Sequence, residues 1–146
     1  MKNRSRHYGD NWETPKDVFE KLNAEFGFDH DPCPLFFGEI KPENDGLLLP
    51  WGKCNFINPP YSRKLKEAFV KKAIEVSKTG ATCVMLLPVS TSTKLFHQFI
   101  KPNAKEIRFW EGRIKFKGVN TKGEYVENKS PMHDSMIVVF KPTTTP

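Results

Sequence analysis

The sequence predicts an α/β domain with a mostly parallel central sheet and helices on both faces, and three observations carry that expectation. Residues 82–87, Thr-Cys-Val-Met-Leu-Leu, are a nearly unbroken apolar run closed by Pro88, as in a central strand covered on both sides. Upstream, Val18, Phe19, Leu22 and Phe26, and later Leu65, Phe69, Ala73 and Val76, recur at helical spacing and make apolar faces. A chain of 146 residues is one domain by length, large enough for a core without disulfides or metal.

Residues 1–11 read as a flexible basic arm, and residues 12–141 as the domain. Thr14-Pro15 opens the first helix, with Thr14 as N-cap, Pro15 at the first helical position and Asp17 favouring the dipole; Gly27 ends it. Residues 28–31 make a short strand before the breaker-rich Pro32-Cys33-Pro34. Short strands over 36–40 and 46–49 flank a turn at Pro42-Glu43-Asn44-Asp45. Residues 53–57 form the next strand, and Ser62 caps a long helix to Lys78 that Gly80 closes. After the apolar strand come a short helix over 93–100, a strand over 105–110 and a short one over 113–117. Residues 118–131 are polar and turn-rich, 135–140 are a last apolar strand, and 142–146 a disordered tail. In such a sheet binding sites gather at the carboxyl ends of strands, which groups Asp31, Asn58 and Pro88 on one rim.

The net charge of +6 is uneven: residues 2–6 contribute +3, and residues 63–78 and 101–117 each hold six bases against two acids. Basic surfaces of this kind suit a polyanion through phosphate contacts. No apolar run is long enough to span a bilayer, and the basic N-terminus has no apolar segment behind it, so neither membrane nor secretion is expected. Cys33, Cys54 and Cys83 form no CxxC pair, which fits a reducing, cytoplasmic setting. The four histidines are scattered with no metal-ligand spacing, and no P-loop, GxGxxG, HExxH or GxSxG is present. No metal is expected.

One segment stands out. Asn58-Pro59-Pro60-Tyr61 leaves a strand, turns rigidly and enters a helix through Ser62. Two prolines fix φ and remove two donors, so the turn holds its shape while acceptors face a ligand. Two readings stand side by side: a structural turn whose Tyr61 packs on the domain, or a pocket for a flat, amine-bearing substrate. In the second, the Asn58 side-chain oxygen and the Pro59 carbonyl accept hydrogens from an aromatic amine such as adenine N6. Tyr61 stacks on the base, a contact worth about 1–3 kcal/mol. A base inside a duplex must leave the stack to reach such a pocket.

With these residues the chain resembles the phage-type DNA adenine-N6 methyltransferase family, a branch of the class I S-adenosylmethionine-dependent methyltransferases. The resemblance spans residues 12–140: Trp12-Glu13-Thr14-Pro15, then Phe28-Asp29-His30-Asp31-Pro32-Cys33, then Asp45-Gly46-Leu47 with Trp51, and then Asn58-Pro59-Pro60-Tyr61-Ser62. Leu86-Leu87-Pro88, Gly112-Arg113-Ile114-Lys115-Phe116 and the strand at 135–140 complete the ordered set. It implies an abbreviated Rossmann-like class I fold and methyl transfer from S-adenosylmethionine to adenine N6 in DNA. Asn58, Pro59, Pro60 and Tyr61 are then the target-amine pocket. Thr14, Pro15, Asp31, Cys33 and Asp45 are the cofactor residues it implies. Competing structural roles are a cap for Thr14, a turn for Asp45 and a small buried side chain for Cys33.

In two respects the chain departs from the broader class. Pro32-Cys33-Pro34-Leu35 replaces the glycine-rich turn after the first strand, and only about 20 residues separate Asp31 from the strand before Asn58. The cofactor site is therefore expected to be short. DNA contact falls to the arm, to Arg63 and Tyr61 near the motif, and to the basic insert at 112–131 through Arg113, Lys115 and Lys117. For Arg113 a surface salt bridge competes with phosphate contact. The same tetrapeptide serves enzymes acting on RNA or glutamine, and the missing glycines also allow a non-enzymatic DNA-binding relic. Nothing in the sequence separates monomer from homodimer.

Overall fold

The computed structural model of the chain describes residues 4–5, 12–34, 39–120, 122–129 and 133–142. In chain order, β1 (Arg4–Ser5) pairs antiparallel with β3 (Glu39–Ile40), which ties down one point of the expected arm; residues 1–3 and 6–11 lie outside the described residues. Residues 143–146 of the expected tail and 35–38 of the expected strand at 36–40 also lie outside them. After β2 (Trp12–Glu13) comes α1 (Lys16–Phe26), which buries Val18 and Leu22 and ends at Gly27 in the left-handed region (φ 69°). Pro15, not Thr14, occupies the cap position, and no side chain caps this helix. The expected Thr14 cap is thus corrected: the first helical bond runs from Phe19 N to Pro15 O, and the Thr14 hydroxyl serves elsewhere.

The segment after α1 is strand-like only briefly, with a parallel bridge between His30 and Asn55. Residues 46–49 form a turn and not the expected strand. Their carbonyls are taken up from the side: Lys72 Nζ donates to Gly46 O (3.1 Å), Leu47 O (2.9 Å) and Leu49 O (2.6 Å). An ammonium with three donors replaces the strand partner. A 3₁₀ turn at Pro42–Asn44 precedes it.

β4 (Cys54–Ile57) then leads through the proline turn into α2 (Arg63–Lys78), which buries Phe69, Val70, Ala73, Ile74 and Ser77. Next come β5 (Thr82–Pro88), a π-helical turn at Leu95–Ile100 continued by Lys101–Asn103, and β6 (Glu106–Phe109). β7 (Phe116–Val119) and β8 (Tyr125–Lys129) make a hairpin from the segment expected to be mostly turns, and β9 (Ser135–Phe140) closes the fold.

The central sheet has the order β4-β5-β9-β6. β4 and β5 are parallel, but β9 is antiparallel to both β5 and β6. The mostly parallel sheet is therefore corrected to a mixed one. The reason is the connection: parallel neighbours need a long crossover, and between β6 and β9 the chain supplies a hairpin. That hairpin recruits β2 into a second, antiparallel sheet of order β2-β7-β8.

Both faces of the central sheet are covered. Cys83, Met85 and Leu87 of β5 join Met136, Val138 and Phe140 of β9 under α2, in a core that includes Phe69 and Ile74. The alternate residues Val84, Leu86, Ile137 and Val139 pack with Phe56, Val18 and Leu22 on the α1 side. Period-two alternation places each strand side chain in one core or the other, so every β9 residue is buried. The proline turn leaves β4 at the rim between these two cores.

Candidate active site

β4 delivers Asn58 to the rim, and Asn58, Pro59 and Pro60 are all buried. The amide of Asn58 is fixed from an unexpected direction. Its Nδ2 donates to the backbone carbonyl of Trp12 (2.6 Å) and to Thr14 Oγ1 (3.2 Å). A carbonyl can only accept, so the NH₂ must face Trp12, and Oδ1 is left as the side chain's acceptor. Trp12 is itself held by pairing with Gly118 of β7, and Glu13 pairs with Lys117. The second sheet thus sets the orientation of an amide on the first.

Around Asn58 lies a cavity of about 360 Å³, within the range of about 300–1,000 Å³ usual for small-molecule sites. Trp12, Phe19 and Phe56 give it aromatic surface, and Thr14, Cys33, Pro34 and Asn58 line it too. Its charged walls are of both signs: Glu13 and Asp31, Lys16 and Lys117. Such a donor set suits a ligand that carries an ammonium, a carboxylate and a flat ring together. Asp31 shapes its own loop, since Oδ1 accepts the Cys33 N–H (2.9 Å). Gly46 packs tightly on the same loop: a Cβ there would overlap the Pro32 carbonyl oxygen, so only glycine lets residues 46–49 sit against Pro32.

The remaining predicted residues divide. Pro15 holds the cap position before α1 and does not line the cavity. Buried Asp45 also stands outside the lining, with its carboxylate accepting the Leu47 N–H (2.9 Å) as a turn residue. Tyr61 packs on the domain, edge-on to Phe116 (6.0 Å) and His133 (5.8 Å) and beside Trp12 (6.5 Å). Its phenol oxygen is buried without a hydrogen-bond partner, and burial pushes its pKa well above the usual value, so it stays protonated. Arg63 is exposed and bonded to Glu67 (3.2 Å). Exposed Arg113 lies 3.8 Å from Asp134, and Lys115 is exposed. Among the described bases of the insert, Lys117 reaches the cavity wall and Arg113 and Lys115 do not.

Glu13 and Lys16 flank Thr14-Pro15 in sequence, and adjacency was the one signal that could have found them. The Trp12 carbonyl had none, because a backbone acceptor carries no residue code. Among the described residues no group of three or more His, Cys, Asp or Glu could hold a metal, and no helix is long and apolar enough to cross a membrane.

A DNA N-6-adenine-methyltransferase of Escherichia phage T1 is 37% identical over 116 residues, covering 72% of this chain and 46% of that protein. The chain therefore spans about half the length of that relative. The crystal structure of a SAM-dependent O-methyltransferase from Thermotoga maritima overlays with a TM-score of 0.35 at 15% identity, over 64% of this chain and 35% of that one. That overlay is too loose to bear on the fold. The sequence model of one family, by contrast, matches residues 2–146, nearly the whole length, including the proline turn and the segments that build the cavity around it. The chain belongs to the DNA N-6-adenine-methyltransferase (Dam) family.

Proposed function

We propose that this chain transfers a methyl group from S-adenosylmethionine to adenine N6 in DNA. The observation that carries the reading is the locked Asn58 amide beside a cavity with walls of both charges. The cofactor supplies an electrophilic methyl on a sulfonium. Asp31 and Glu13 suit its amino group, Lys16 and Lys117 its carboxylate, and Trp12, Phe19 and Phe56 its apolar parts. Asn58 Oδ1 and the Pro59 carbonyl accept the N6 hydrogens, which raises electron density on nitrogen as the N–C bond forms and the C–S bond breaks. The displaced proton goes to water. The residues contribute positioning and electrostatics, with no covalent enzyme intermediate.

Stacking of Tyr61 on the target base requires the ring to leave its contacts with Phe116 and His133. Its unsatisfied buried hydroxyl, a cost of about 1–3 kcal/mol, favours such a move. We read the sheet as an abbreviated class I methyltransferase sheet, supported by helices on both faces and a site at the carboxyl end of β4. Three free cysteines suit reaction in a reducing cytoplasm.

The test is incubation with methyl-labelled cofactor and an equimolar mixture of DNA, RNA and a glutamine peptide. Label on N6 of deoxyadenosine is the expected product. Label on RNA or glutamine, or none with cofactor bound, overturns the reading.

A further inference from the structure

A second cavity, of about 300 Å³, opens on the α2 side of the same rim. Its floor is apolar, made by Leu87, Leu95, Ile100 and Met136, and all four are buried in the core under α2. Its lip is basic, with Arg63, Lys66 and Lys94 against a single acid, Glu67. Glu67 is already engaged by Arg63, and no carboxylate among the described residues lies within salt-bridge distance of Lys66 or Lys94. Burial holds the Lys66 pKa below its usual value, so an incoming anion would offset a desolvation the fold already imposes. Nothing in the methyl-transfer site uses these residues.

The two cavities are joined by the proline turn. Asn58 lines the first and Arg63 the second, five positions later across the start of α2. A strand that places one base at Asn58 and continues over this turn would bring its next group to an apolar floor under three cations.

We propose that the second cavity is a subsite for a nucleotide flanking the target base in the same DNA strand. The base edge lies against Leu87, Leu95 and Met136, and the phosphate is held by Arg63, Lys66 and Lys94. The floor has no aromatic ring, so it selects by shape and not by stacking. This rests on the DNA reading above, and binding is measured apart from turnover so that the two can fail separately.

The experiment uses the full chain and a fluorescent duplex with one adenine site, read by anisotropy. The variant Lys66→Gln with Lys94→Gln is expected to lose about tenfold or more in affinity, as for two lost phosphate contacts. Lys94→Gln alone, at an exposed position, is expected to show part of that loss and guards against a folding artefact. An abasic nucleotide placed beside the adenine should weaken the wild type more than the double variant, because without its phosphate anchored the flanking base is no longer seated on the apolar floor. Equal affinity for variants and wild type, or equal effects of the abasic site on both, overturns the subsite. Methyl transfer with those results leaves the catalytic reading intact; the expected binding pattern without any transfer overturns catalysis and keeps the subsite.

Discussion

In the proposed reaction Asn58 sits between two demands: its Nδ2 donates to the fold, and its Oδ1 would accept from the substrate amine. Asn58→Asp keeps the shape but sets a carboxylate oxygen against the Trp12 carbonyl, 2.6 Å away in the native protein. Leaving that carbonyl against an acceptor costs about 2 kcal/mol or more, so kcat should fall about 30-fold or more while circular dichroism stays native. Undiminished turnover would show that the amide orientation is irrelevant. On the same proposal Thr14, which accepts from Asn58 Nδ2 (3.2 Å), would act through Asn58 as a positioning residue. Thr14→Val removes one acceptor, and a single neutral hydrogen bond implies about a 2- to 12-fold loss of kcat. Thr14→Ser should restore it, which a purely steric role for the threonine methyl would not allow. The sequence marked both residues, but of the two readings of Thr14, a cap and a cofactor residue, neither pointed to Asn58, and the cap came from a threonine before a proline at a helix start. The competing partner lies 44 positions away and leaves no local trace.

At the scale of elements, local chemistry was legible wherever a segment's own pattern decided its state. α1, α2, β5 and β9 all fall within a residue or two of expectation, since their apolar periodicity is strong and their breakers are clear. Residues 46–49 were misread because Gly-Leu-Leu-Leu looks like a strand, and the group that makes it a turn belongs to α2. Lys72 bonds three carbonyls there and lies 5.4 Å from the Trp51 ring centre. Lys72→Met keeps the apolar stem but strands those acceptors, some of which water can reach. A loss of about 1–3 kcal/mol is expected in urea unfolding, in line with a charged hydrogen-bond donor. Because Gly46 seats this loop on Pro32, cofactor affinity should fall as well. Unchanged stability would mean that water replaces the ammonium without cost. β6 and α1 are held together differently, by Arg108 bonding both Glu25 and Glu106. Those bonds hold both carboxyl pKa values below the ordinary 4.5. A carboxyl with a lowered folded pKa binds fewer protons when folded, so its contribution is complete above 4.5 and disappears as pH falls through the folded value. Arg108→Gln should therefore destabilise the protein modestly at neutral pH and progressively less as pH falls below 4.5 through the lowered folded values, consistent with an exposed network. A constant difference across that range would assign the effect to packing on Phe26.

For the whole molecule, helices on two faces of a sheet were readable, whereas strand direction was not, because direction depends on which connection follows a strand. The segment that looked like loop by composition supplies β8 and the end of β7, the hairpin that carries β2 and, through it, the Trp12 carbonyl. The same hairpin divides the basic insert. Lys115 is exposed ahead of β7, while Lys117 turns into the cavity wall beside Thr14 and Asn58. The two lysines, alike in sequence, should therefore fail in different ways. Lys115→Ala should weaken binding to every DNA sequence alike and lower the slope of log affinity against log salt by about 1, the signature of one lost phosphate contact. Lys117→Ala should leave that slope unchanged and raise the S-adenosylmethionine dissociation constant measured by calorimetry without DNA. The order of the outcomes matters more than their size. If both variants altered the salt slope and neither changed cofactor binding, Lys117 would belong to the DNA surface. The positive wall of the first cavity would then be left to Lys16 alone.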